Sequence, residues 1–183
     1  MIVYKFLARG ARTPLSDDGW PTPSAETPGA WVTAAQHPFL SAQPGVHACR
    51  AGDLAHWLHD ELWLAEAAGE HWDGIDCVLV ERARLLCQVD EWQSDGALRF
   101  TRACAEHAAA YGAGPAAAQG YLADARSAGD AGYTAVSAHA CALAATLARI
   151  ASGDVSNEER AYREERAWQS AWIAEHVIAN RGV

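Results

Sequence analysis

His47 and Glu61 are the two residues whose types and setting suit proton transfer. His47 lies in Val46-His47-Ala48-Cys49, which alternates as a strand does, and Glu61 opens a second alternating run, Glu61-Leu62-Trp63-Leu64-Ala65-Glu66-Ala67. A histidine titrates near neutrality, and a carboxylate crowded by Leu62 and Trp63 is expected to be pushed upward, so the two would form an acid/base couple at pH 7. Trp20, Trp31, Trp57 and Trp63, with Arg50, are expected to wall a pocket around them, because small-molecule sites combine aromatic walls with a few polar groups. Each member also has a structural alternative: His47 hydrogen-bonded near a core, Glu61 at a sheet edge, Trp20 plugging a polar loop onto the interior.

Other polar clusters carry weaker signals. His56-x-x-His59, with Asp60 beside it, has the spacing of a metal pair on a helix. A closed zinc site takes four ligands and no CxxC or HExxH motif accompanies the pair, so no metal is assigned and a solvated polar face accounts for it. His47 and Cys49 point in parallel from one face of a strand, which prevents direct base–nucleophile contact unless another segment folds between them. Ser137, His139 and Cys141 are two apart on a helix, about 200° around its axis, and cannot form a triad. The chain has no P-loop, no GxGxxG in a strand–helix setting and no GxSxG elbow, so no cofactor is implied.

The elements that would position these residues follow from pattern. Residues 2 to 8 are rich in β-branched and aromatic residues and read as a first strand. Residues 10 to 29 hold four of the seven prolines and form a long loop or lid. Trp31-Val32 is a short second strand, His37-Pro38-Phe39 returns the chain to Gly45, and Val46 to Cys49 is a third. Gly52-Asp53 starts a helix over 52 to 60 with Asp53 as its N-cap and Leu54, Trp57, Leu58 and Leu62 on its apolar stripe. If the helix stops near Asp60, Leu62 to Ala67 and Cys77 to Val89 are two further strands joined by a loop at 69 to 74, with Glu81, Arg82 and Arg84 on the solvated or edge part of the last one.

Beyond Asp95 the pattern is helical: 95 to 111, 116 to 127, 132 to 151 and 156 to 180, broken at glycine-containing turns. The last helix begins with a capping box from Ser156 to Glu159 and presents Trp168 and Trp172 as its docking seam. The fold expected is α+β: a small, mostly antiparallel sheet with one embedded helix over residues 1–92, then a layer of about four alanine-rich helices over 93–183 packed on it.

Composition bounds the function. In 183 residues the formal charge is −9, and the sequence pI is near 5.3, which disfavours a broad nucleic-acid or anionic-membrane surface. Lys5 is the only lysine, against 13 arginines, so amine chemistry has a single side-chain candidate, in the opening strand. Five cysteines without a pairing pattern suit buried, reduced thiols. No signal peptide or membrane-length apolar run is evident, so a cytoplasmic protein is expected.

Several stretches, Tyr4-Lys5-Phe6-Leu7, Trp20-Pro21-Thr22-Pro23, Gly29-Ala30-Trp31-Val32, Gly45-Val46-His47-Ala48-Cys49-Arg50, Asp60-Glu61-Leu62-Trp63 and Ala83-Arg84-Leu85-Leu86, make residues 4 to 92 similar to a family of actinobacterial-type proteins without an assigned activity. The resemblance implies no catalytic residue.

Two functions follow as expectations. The first is a cofactor-independent enzyme or binder acting on a small, partly aromatic metabolite through the His47/Glu61 couple. The alternative is a protein-interaction module using exposed Trp and Arg residues, which dominate interface energetics. A homodimer is compatible with either.

Overall fold

The computed structural model describes residues 1–33 and 45–179, so the His37-Pro38-Phe39 segment lies outside the described residues. The chain divides into two compact units, Met1–Gln93 and Ser94–Val183. The first holds the strands and the second the four long helices, which is the α+β order read from the pattern.

In the first unit the strands are β1 (Ile2–Leu7), β2 (Val32–Thr33), β3 (Val46–Ala48), β4 (Glu61–Asp73) and β5 (Val78–Gln88). All pairings are antiparallel: β1 with β4, β4 with β5, and β2 and β3 with successive parts of β5. The sheet also closes on itself. Tyr4 and Cys49 exchange backbone hydrogen bonds of 2.8 and 2.9 Å, joining β1 to the end of β3.

Inward-facing side chains at alternate positions make one core: Val3 and Leu7 of β1, Val46 and Ala48 of β3, Trp63, Ala65 and Ala67 of β4, and Val78, Val80, Ala83 and Leu85 of β5. The two-residue step breaks between Val80 and Ala83, opposite a register shift between Ala68 and His71. Gly69 sits at that shift with φ +84°, and a side chain there would collide with the Glu81 carboxylate. This bend lets one long hairpin contribute to both sides of a small closed sheet. It also extends β4 into the expected 69–74 loop, leaving the reversal to Gly74–Cys77, where Gly74 N–H donates to the Cys77 carbonyl at 2.9 Å.

The helix expected over 52 to 60 is a 3-10 helix over Ala51–His56. Its ends are pinned, Cys49 to Tyr4 and Glu61 to Leu7 in register, and the tighter, longer-rise helix spans that gap in fewer residues. Arg50, not Asp53, is the N-cap residue; Asp53 reaches back from the third helical position to accept from the Arg50 N–H at 3.2 Å. Leu54 and Leu58 of the expected stripe are buried, but Trp57 is 37 % exposed, because the early end of the helix turns it outward.

The second unit comprises α1 (Ala97–Ala110), α2 (Ala116–Asp130), α3 (Thr134–Ala151) and α4 (Glu158–Ile173), the last continuing as a π-helical turn, Ala174–Ile178. Helix α3 is the centre, packed against the other three. Its buried Ala138, Ala142, Ala145 and Ala148 carry little bulk, which allows close helix approach. By length and composition α3 passes as a membrane span, with 56 % of it buried inside the bundle. Helix α4 is capped by Asn157, whose side chain accepts from Arg160 N–H at 2.9 Å, one residue later than the Ser156 box expected. Trp168 and Trp172 do form a seam: Trp168 stacks on His107 with ring centroids 3.7 Å apart, and Trp172 lies 5.6 Å from Phe100.

Candidate functional site

The structure does not bring His47 and Glu61 together. Strands β3 and β4 are not neighbours: β5 lies between them on one side, and β1 on the other through the Tyr4–Cys49 bridge. The inference from a helix-length connection failed because the connecting 3-10 helix hands the chain across the closed sheet instead of returning it alongside β3.

Glu61 is an anchor for the loop after β1. Its Oε1 accepts from Gly10 N–H at 2.8 Å, and its Oε2 accepts from Ala11 N–H at 3.0 Å and from the Trp63 indole at 3.0 Å. A carboxylate receiving three N–H donors is already committed to them. Trp63 is 6 % exposed and Trp20 8 %. Both belong to the core, with the Trp20 N–H fixed to the Ala11 carbonyl at 2.8 Å. Thus Trp20 is the plug, and the turn that carries it is held by Glu61.

His47 faces outward on β3. Its ring lies 5.8 Å from that of Trp57, whose indole donates to the Asp76 carbonyl at 2.5 Å. Partial burial of the imidazole, and then the Lys5 charge, lower its pKa, so it is neutral at pH 7. Arg50 is engaged by Asp73 and by Asp53, the latter at 3.6 Å. The cavity beside His47 and Trp57 is about 10 Å³, about one water. Among the described residues Trp20 and Trp63 lie in the core while Trp57 borders this small cavity, so the four tryptophans do not wall a common pocket there.

The histidines of the 3-10 region are dispersed. His56 Nε2 lies 3.7 Å from Asp76, while His59 Nδ1 accepts from the Asp60 N–H at 2.9 Å. Among the described residues, no three His, Cys, Asp or Glu side chains converge as a metal site would need.

Trp31 has a different setting. Gly29 N–H donates to the Leu85 carbonyl at 2.9 Å, and a Cβ at Gly29 would overlap the Pro21 carbonyl oxygen, so glycine is required for the chain to lie this close. This docks Trp31, immediately before β2, onto the outer row of β5. The Arg84 guanidinium sits 4.6 Å from its ring centroid and that of Arg82 5.0 Å. Arg84 is also paired with Glu66 at 2.6 Å, whereas the exposed Arg82 makes no ion pair among the described residues. Two cations thus lie on one partly exposed indole, on the part of β5 expected to be solvated or edge; the bend in the hairpin puts Arg82, Arg84 and Trp31 on one surface, and no local sequence signal marks it.

In the second unit, His107 Nδ1 is 3.0 Å from Glu165 Oε1. Glu165 is 1 % exposed and its Oε2 has no partner, and burial raises its pKa against the opposing pull of His107. Two clefts in this unit, about 340 Å³ between α1 and α2 and about 410 Å³ among α1, α2 and α3, are not lined by His107 or Glu165. His139 meets Tyr162 Oη at 2.8 Å, while Ser137 is buried and donates to the Ala125 carbonyl at 2.8 Å.

Comparison with protein-family models, curated proteins and solved structures finds no match for this chain.

Proposed function

We propose that the first unit is a protein-interaction module that binds an acidic peptide segment of a partner through Trp31, Arg82 and Arg84. The observation that carries this reading is the stacking of two guanidinia, at 4.6 and 5.0 Å, on a partly exposed indole. Arg84 is held in place by Glu66, whereas Arg82 makes no ion pair among the described residues, so its N–H fork is the one offered to a partner's carboxylate in two-point fashion. Trp and Arg are also the residues that contribute most where interfaces are tested by truncation. The chain's net charge of −9 makes a local pair of arginines a distinctive positive feature.

The metabolite-enzyme reading is supported less well, since its acid and base stand on non-neighbouring strands and two of its four tryptophan walls are core residues.

Fluorescence polarisation of labelled Asp/Glu-rich peptides containing one aromatic residue tests the proposal, with neutral and Lys-rich peptides as controls. Acidic peptides should bind preferentially, with affinity falling as salt rises. Trp31→Ala and Arg82→Glu should each weaken binding at least tenfold. Equal binding of all peptide classes, or acidic-peptide binding untouched by Arg82→Glu, would overturn it.

A further inference from the structure

Helix α2 is held tightly at both ends. A Cβ at Gly129 would lie 3.1 Å from Thr101 of α1 and 3.2 Å from the Ser137 hydroxyl of α3, and one at Gly114, just before α2, would lie 3.1 Å from the Ala148 Cβ of α3. Between these points the facing residues are too small to fill the space, and two open clefts remain: one of about 340 Å³ between α1 and α2, the other of about 410 Å³ with α3 as its floor. Each is within the size range of small-molecule sites, roughly 300–1,000 Å³. Arg126 lines both, so the clefts adjoin at its side chain.

Their linings differ. The first carries Arg102 and Glu106 from α1 and Arg126 and Asp130 from α2, all exposed. On each helix the arginine stands four residues before the acid, the weaker order for a helical pair, and none of the four makes an ion pair among the described residues. Two cations and two anions thus face one cleft without neutralising each other. The second cleft, apart from Arg126 and Gln119, is lined only by alanine, glycine and Leu122.

We propose that the joined clefts bind a free α-amino acid with an apolar side chain, its carboxylate on Arg126 and Arg102, its ammonium on Glu106 and Asp130, and its side chain in the alanine-lined cleft against Leu122. A zwitterion matches both signs of charge in the first cleft. A simple carboxylic acid would bring its charge against the two acids, and a simple amine would bring its charge against the two arginines. The guanidinium fork takes a carboxylate in two-point fashion, and Arg126, at the junction, sets the charged end of the ligand where the apolar lining begins. Burial of the side chain there supplies the hydrophobic part of the affinity. This site lies in the second unit and stands or falls independently of the Trp31 patch.

The test is isothermal titration of the full chain with L-leucine, beside three truncated probes: 4-methylpentanoate, which lacks the ammonium; 3-methylbutylamine, which lacks the carboxylate; and glycine, which lacks the side chain. Leucine should bind saturably, and each truncated probe should bind more weakly by about tenfold or more, as loss of a charged hydrogen bond or of a buried side chain implies. Arg126→Gln, at an exposed position, should keep the helical circular dichroism spectrum and weaken leucine by about tenfold or more. Ala109→Phe, which fills the apolar cleft and leaves the four charges in place, should weaken leucine while leaving glycine unchanged. No saturable binding of leucine, equal binding of 4-methylpentanoate or 3-methylbutylamine, or leucine binding untouched by Arg126→Gln would overturn the proposal.

Discussion

Glu61 and Trp63, two residues apart at the start of β4, are joined by a 3.0 Å hydrogen bond from the indole to the carboxylate, and the same carboxylate takes the Gly10 and Ala11 N–H groups. One side chain thereby fixes both a core tryptophan and the turn leading to Trp20. Glu61→Gln leaves a single acceptor oxygen among three donors and turns an NH2 toward at least one of them. Chemical denaturation should show a loss of about 1–3 kcal/mol, with the loop at 10–20 becoming protease-sensitive. An unchanged midpoint would remove Glu61 from this structural role.

Lys5 should cost the fold stability at neutral pH. Burial lowers its folded pKa to about 8, below the ordinary 10.5, so the unfolded chain binds the proton more tightly between those values and stability rises with pH across that window. Lys5→Met should therefore be more stable than the parent below pH 8, by about 1–3 kcal/mol at most, and the gap should close toward pH 10.5. Melting temperatures across pH 6 to 10.5 read this directly; a gap independent of pH would contradict it.

Glu165 titrates in the opposite sense. Burial raises its pKa in the folded state, so its favourable contribution is complete below the ordinary 4.5 and is lost as pH rises through the folded value. Glu165→Gln should gain stability relative to the parent between pH 4 and pH 7. Identical differences at both pH values would show that the buried carboxyl carries no such penalty.

How far these features could be read from sequence depends on the range of the interaction involved. The strand–helix order, the switch from helix to strand at Glu61 and the seam of Trp168 and Trp172 all rest on local periodicity and were legible. The closure of the sheet between Tyr4 and Cys49 was not, because 45 residues separate the partners and neither carries a pairing signal. The same missing contact explains the misplacement of His47 against Glu61. The inward orientation of Lys5, which has the parity of Val3 and Leu7 on β1, was concealed by its charge, which ordinarily argues for an outward position. Trp31 stood only as one of four expected pocket walls, and its arginine companions depended on the Gly69 bend in the hairpin.

The most direct measurement of the central claim is a two-dimensional 15N NMR titration of the protein with an Asp/Glu-rich peptide, following the eight tryptophan indole N–H signals together with the backbone amides. Binding at the proposed patch predicts that the Trp31 indole and the amides of Val32, Arg82 and Arg84 shift together, saturably and with one dissociation constant, and that Arg82→Glu abolishes the change. Shifts centred instead on Trp57 and His47, or no saturable shift at Trp31, would contradict it.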